Sequence, residues 1–410
     1  MKEAYINAKI LDPHKNKEFI GDIIIEKDKI IDVGPNIHKK EKPKNYTNIH
    51  DCKNLFICPG LLDMRVSFGE PISEHKAAFA GGITTVVCLP NTDPVVDNVS
   101  VAEYIQRKAR EVSNLNLYTY GSITKNFDGE NLCEMGLLSK AGVKGFTDAT
   151  KSIENSAVLK RALEYSKAFD SLVIQFPEDK NLANDGVMNE GEISTRLGLA
   201  GIPSIAEVII IERDLRLVEA TGAKYHVSCV STAESVEAIK NAKKKGIKVT
   251  CDTSPQYFTL NEMAVEDYRT FAKVSPPLRS EKDRVAIVNG LKDGTIDAIQ
   301  SDHMPQDEDN KRLPFNNAEK GIVGLETLLP LSLLDVIKKL TKNPADILNL
   351  DHGTLSKGSK ADLLIFDPNK PFIVNVKKFK SKSKNSPFDK KPSQGKVIKT
   401  ICSGEVSYPA

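Results

Sequence analysis

Residues 83–112 read ITTVVCLPNTDPVVDNVSVAEYIQRKAREV. A short apolar run ends at Pro90, a loop follows, and a helix-length segment closes the unit. The unit recurs along the chain. LVIQF (172–176) precedes AEVIIIERDLRLVEAT (206–221), and IKVTCD (247–252) precedes NEMAVEDYRTFA (261–272). DRVAIVNGLKD (283–293), IDAIQSD (296–302) and GLETLLPLSLLDVIKKL (324–340) continue the series. Alternation of this kind from Leu55 to about Leu350 predicts parallel strands with helical crossovers, and a closed (β/α)8 TIM-type barrel is the commonest such form.

Outward from this body, both chain ends change character. AYINAKILD (4–12) and FIGDIIIEKDKIIDVG (19–34) are short strand-like runs broken by turns, and ADLLIFDP (361–368), FIVNV (372–376) and VIKTICSGEVSY (397–408) return to the same texture. The expected division is therefore 1–52 and 353–410 as two parts of one small β domain, with the α/β barrel at 53–352. The Lys-rich run from Lys377 to Lys399 reads as a solvated loop.

Bulk composition excludes several functions. Lys+Arg 57 against Asp+Glu 55 leaves a net charge of +2 over 410 residues, so no global field favours nucleic acid or a membrane surface. No apolar stretch reaches the roughly 18 residues of a membrane span. Seven cysteines without paired spacing fit reduced thiols in a cytoplasmic protein.

The chemistry should sit at strand ends, and LLDMRVSFGEP (61–71) is the informative one. Alternate residues of a strand share a side, so Arg65 and Ser67 should project together where a barrel enzyme would place a metal-binding pair. The seven histidines (14, 38, 50, 75, 226, 303 and 352) include no local chelating pair at i, i+2 or i, i+4.

LPNTDP (89–94), MNEGEISTRLGLAGIPSIAE (188–207), KVSPPLRSEKDR (273–284), DGTIDAIQSDHMP (293–305), KGIVGLETLLPL (320–331) and KSKNSPF (382–388) closely resemble dihydroorotases of the amidohydrolase superfamily. That resemblance implies a TIM barrel with zinc at its C-terminal mouth, a metal-activated hydroxide, and an aspartate that shuttles the proton.

Carried over position by position, the resemblance implies a dismantled site. The four ligand histidines fall on Arg65, Ser67, Phe176 and Cys229, and an arginine cannot become a ligand. The substrate-pairing arginine falls on Gly69, the asparagine before Pro-Pro-Leu-Arg on Ser275, and a further histidine on Gln306. Ser254-Pro255-Gln256-Tyr257 replaces Thr-Pro-His-His, Ala149 replaces the second aspartate of a pair, and the chain is shorter than the family between Pro71 and Ala77. Asp302 matches the proton shuttle, Asn91, Arg279 and His303 match substrate contacts, and Asp148 is retained.

The expectation from these losses is a catalytically inactive homologue without metal, with Asp148 and Asp302 as weak residual ligand candidates. Asp302 should pair with Arg65 or cap loop amides. Cys229, Lys144, His226 and His303 should be structural, and Tyr257 and Phe176 should fill vacated volume. Such metal-free relatives serve as non-catalytic partners of aspartate carbamoyltransferase in pyrimidine synthesis, so the resemblance implies a hetero-oligomer with that enzyme, with a homodimer also in view. Two other readings are an active cyclic amidohydrolase with a rearranged metal site, and a sensor reading a carboxylate through Arg65 and Arg279.

Overall fold

A computed structural model describes residues 2–40, 42–68, 73–332 and 334–409. The N-terminal strands are β1 (Lys2–Asp12), β2 (Lys17–Glu26), β3 (Lys29–Gly34), β4 (Tyr46–Asp51) and β5 (Phe56–Pro59). They meet β15 (Leu363–Ile373), β16 (Pro392–Cys402) and β17 (Glu405–Tyr408) in one eight-stranded sheet, ordered β17-β16-β15-β5-β1-β2-β3 with β4 on β1. The two ends join where β5 runs antiparallel to β15, Ile57 opposite Ile365. Tyr5, Ile10, Ile23, Ile57, Leu363 and Ile401 are buried together on this sheet.

Between them lie β6 (Leu61–Val66), β7 (Ile83–Cys88), β8 (Asn116–Thr119), β9 (Val173–Gln175), β12 (Tyr225–Val227), β13 (Val249–Thr253) and β14 (Ala298–Ile299). All pair in parallel, as β6-β7-β8 and as β14-β13-β12-β9. Phe146 bridges Gly121 to Val173 and stands as the missing strand between the two sets. A parallel bridge from Val66 to His303 closes the barrel. β10 (Met188–Asn189) and β11 (Gly201–Ile202) form a separate small pair.

Strands covered on both faces read as unbroken apolar runs, and every residue of β6 and β7 is buried. The crossover helix Val99–Val112 starts at Asn98, whose side chain accepts from the Val101 amide, and buries Ala102, Ile105 and Ala109 on one stripe. Each large side chain so buried contributes about 1.5–3 kcal/mol. The helix Ile205–Thr221 stops at Gly222, which takes the left-handed conformation with φ 68°.

Three expectations from the sequence need correction. The stretch 261–272 is not an α-helix: it forms 3-10 turns at Glu262–Tyr268 and Thr270–Ala272, with Asp267 at φ 60°. The stretch 324–340 is cut into Leu325–Thr327, Leu328–Leu331 and Leu334–Leu340; Pro330, in the middle piece, has no amide N–H to donate to Glu326 and so prevents one continuous α-helix. The run 377–399 is not simply a solvated loop. Its last part is β16, and Asn385 within it is buried.

That segment straps the barrel rim. Asn385 Oδ1 accepts from the Gln306 amide at 3.3 Å, its Nδ2 donates to Met304 O at 3.1 Å and Gly321 O at 3.0 Å, and its carbonyl accepts from Val323 N at 3.0 Å. Rim backbone without strand partners needs such substitutes. No helix among the described residues is long and apolar enough to cross a membrane.

Candidate active site

Parallel closure carries all strand C-termini to one mouth, where chemistry is placed in barrels of this kind. β6 delivers Arg65, which is 2% exposed. Its Nε donates to Asp302 Oδ1 at 3.0 Å, and its Nη1 reaches Ser228 Oγ at 3.4 Å and Ala149 O at 3.5 Å. The guanidinium carbon lies 5.3 Å from the Phe176 ring centroid. Among the described residues Nη2 has no hydrogen-bond partner. On the far side of Asp302, Gln256 Nε2 donates to Oδ2 at 3.4 Å. Burial pushes the Asp302 carboxyl up to about 6 against the opposing pull of Arg65.

Asp252, at the end of β13, is part of the same group and was missed by the sequence reading. Its Oδ1 accepts from the Cys229 amide at 2.6 Å, and its Oδ2 lies 3.0 Å from His226 Nε2. His226 Nδ1 sits 2.8 Å from Thr250 Oγ1, so both ring nitrogens are engaged. An aspartate closing the apolar run IKVTCD was the available signal. Asp63 on β6 was also missed. Its Oδ1 accepts from the Arg65 and Ser301 amides at 3.1 and 3.2 Å, its Oδ2 has no hydrogen-bond partner among the described residues, and burial pushes it up to about 7.

Three residues against this cluster take the left-handed backbone conformation: Ala149 (φ 59°), Cys229 (φ 61°) and Asp302 (φ 50°). Each costs on the order of 1–3 kcal/mol, and such residues gather at functional sites. The Cys229 sulfur accepts from Gln300 Nε2 at 3.0 Å, and burial raises its thiol well above the ordinary value, which disfavours the thiolate.

The remaining candidates disperse around the mouth. Ser67 Oγ accepts from Asn91 Nδ2 at 3.4 Å. Asp148 caps a loop, accepting from the Ile123 and Thr124 amides at 2.7 and 3.0 Å and from the Thr124 hydroxyl. Lys144 lies away from the cluster with Nζ 5.1 Å from the Tyr118 ring centroid. Tyr257 donates to Pro276 O at 2.9 Å, Gln306 Nε2 to Lys320 O at 2.9 Å, and Ser275 is half-buried.

His303 Nδ1 accepts from Gly324 N at 3.2 Å, while its Nε2 stands 3.6 Å from Glu74 Oε2. Arg279 donates to Ser231 Oγ, Asn189 Oδ1 and Ile202 O at 3.2, 3.1 and 2.9 Å. Gly69 lies outside the described residues. Beside the cluster opens a cleft of about 520 Å³ lined by Phe127, Asp148, Lys151, Ser152, Glu154 and Glu178. Ala149, which touches Arg65, follows one of those lining residues directly.

Two family profiles match the chain, one for dihydro-orotase-like proteins over residues 55–235 and one for amidohydrolases over residues 315–408. The chain is 43% identical to the dihydroorotase of Ehrlichia canis (strain Jake) over 426 residues, covering 99% of this chain and 95% of that protein. It is 44% identical to the dihydroorotase of Acetivibrio thermocellus over 416 residues, covering 97% and 96%. Among solved structures, the L-hydantoinase (dihydropyrimidinase) from Arthrobacter aurescens superposes with a TM-score of 0.86 at 24% identity, covering 98% of this chain and 95% of that one.

These relatives overturn the expectation of an inactive homologue. Full-length similarity above 40% runs to proteins named for an enzyme, and nothing in the comparisons marks a branch that has lost activity.

Zinc of the kind the resemblance implies does not fit the residues present. Among the described residues no three His, Cys, Asp or Glu side chains are grouped to hold a metal ion. A guanidinium and a phenyl ring, neither of which can ligate a metal, stand at two ligand positions, and burial disfavours the thiolate of Cys229 at a third.

Proposed function

We propose that this chain, which belongs to the dihydroorotase family of amidohydrolases, acts on a cyclic amide of the dihydroorotate class in pyrimidine metabolism, through a site rearranged around Arg65 and Asp302. The observation that carries the reading is the similarity to proteins named dihydroorotase along 97–100% of the chain. The site supplies two of the needed functions. Asp302, held near neutrality by burial, can take a proton from an attacking water and return it to the departing ring nitrogen. The buried Nη2 of Arg65, without a hydrogen-bond partner among the described residues, would donate to the oxyanion that develops on the ring carbonyl of a substrate that reaches it. The cleft at Asp148 is the proposed approach for a substrate, and neither Arg65 nor Asp302 lines it.

The sensor reading is disfavoured by Arg279, three of whose N–H donors are taken by Ser231, Asn189 and Ile202 while its Nη2 faces Glu207 at 3.7 Å. Association with aspartate carbamoyltransferase, and a cytoplasmic setting for both, are parts of the proposal that rest on the sequence resemblance. Seven free buried cysteines agree with a reducing compartment.

The deciding experiment measures dihydroorotate hydrolysis and carbamoyl-aspartate cyclisation by the purified protein, with hydantoin and dihydrouracil as alternatives. Turnover that falls about 100-fold or more in Asp302→Asn is expected. No turnover of any of these amides, with enzyme near stoichiometric to substrate, would refute the reading. Co-expression with the transferase and size-exclusion chromatography tests the partnership, which two separate peaks at micromolar concentration would exclude.

A further inference from the structure

The buried mouth holds three carboxylates (Asp63, Asp252 and Asp302) around one permanently charged side chain. Asp252 is served by His226, the Cys229 amide and the Ser228 hydroxyl, and Asp63 by two backbone amides. Asp302 is the carboxylate that Arg65 contacts directly. The guanidinium is anchored from several sides by groups that suit it: a carboxylate, a carbonyl, a hydroxyl and an aromatic face. Strained backbone at Ala149, Cys229 and Asp302 keeps those groups turned towards it.

We infer that Arg65 is the resident cation of this barrel: a side chain of the first barrel strand neutralises the buried carboxylates and, by standing among the strand ends, keeps divalent metal out. A metal ion entering this site would have to expel a guanidinium that cannot lose its proton, and would find Asp252 and Cys229 already engaged. The inference concerns charge balance and is independent of which amide, if any, the protein turns over. Its readouts are metal content and stability, so its failure is distinguishable from failure of the proposed function.

The test compares the full-length wild type with Arg65→Met, Arg65→Met/Asp302→Asn and Arg65→His/Phe176→His. Each is dialysed against chelator, offered zinc alone, freed of excess, and assayed by elemental analysis and thermal unfolding. The wild type should retain well under one equivalent of zinc and gain no thermal protection from it. Arg65→Met should unfold about 5 °C or more below wild type, and the double variant should recover most of that loss because the carboxylate that Arg65 contacts directly is then neutral. Arg65→His/Phe176→His, which removes the guanidinium and adds two imidazoles, should take up zinc and be stabilised by it. If Arg65→Met is insoluble while Arg65→Met/Asp302→Asn folds, the inference stands.

Stoichiometric zinc on the wild type would overturn it, whatever the variants do. So would an Arg65→Met variant as stable as wild type, an absence of rescue by Asp302→Asn, or a folded Arg65→His/Phe176→His that remains free of zinc.

Discussion

Two buried arginines stand at the mouth of this barrel, and their surroundings differ in kind. Arg279 is 4% exposed and donates three hydrogen bonds of 2.9–3.2 Å, with Glu207 Oε2 3.7 Å from its last nitrogen. Glu207 is itself satisfied by the Ser231 and Thr232 amides and hydroxyls. Arg279 therefore fastens β11, the loop after β12 and the segment around 279 into one piece. Arg65 is as deeply buried but has one good hydrogen bond, two long contacts and one empty nitrogen, amid strained backbone. A buried charge tied by several good hydrogen bonds is a structural fastener, whereas one with fewer in a strained setting is held ready for something else.

The largest expected effect tests that contrast directly. On the active protein of the proposed function, Arg65→Met should lower kcat about 100–1,000-fold, as removal of an oxyanion donor does. Arg279→Met should leave kcat of the folded fraction nearly unchanged. Equal losses in steady-state assays would erase the distinction.

Stability should separate the two next. Arg65→Met leaves Asp302 buried without its cation and should cost about 3–5 kcal/mol in denaturant unfolding. Arg279→Met removes neutral hydrogen bonds and leaves Glu207 satisfied, so about 1–3 kcal/mol is expected. The reverse order would show Arg279 to be the charge-bearing partner.

A third, smaller effect follows pH. Asp63, raised to about 7 by burial, keeps its proton in the folded protein over a range where the unfolded chain has released it. Native stability therefore loses ground as pH rises through about 7, and the loss is complete above it. Asp63→Asn has no such penalty and should gain about 1–2 kcal/mol on wild type between pH 6 and pH 8. Comparing the two proteins removes the opposite contribution of Lys311, whose ammonium burial pushes down to about 7. A constant difference across that interval would place the Asp63 proton elsewhere. The smallest effect is at the rim: Asn385→Ala should cost on the order of 1 kcal/mol and loosen amide protection mainly around 304–323.

The barrel and the sheet drawn from both chain ends were legible because their signals are local: apolar runs, helix-length segments and turns in alternation. The misread stretches share one cause, since 261–272 and 324–340 have helical composition but are broken by tertiary demands and by Pro330. The donor set was legible in part. Arg65 could be placed opposite Asp302 because both are strand-end residues, and they do meet. Asp63, Asp252 and Gln300 gave little signal, because a lone polar residue at the end of an apolar run says nothing about the partner 50 or 240 positions away. The inference from lost histidines to lost activity failed for another reason. Ligand identity reports how a site works, whereas the relatives bear on whether the protein is an enzyme, and the two questions have separate answers.

The Asn385 strap carries a consequence for synthesis. The barrel strands and most of their crossovers emerge from the ribosome before residue 385, yet the rim around 304–323 gets its clasp only when that residue arrives, and the end sheet awaits β15–β17. A nascent chain can thus assemble most of its barrel while the mouth stays unfastened. The arrival of Asn385 then acts as a closing step, after which the rim first has its final set of hydrogen bonds.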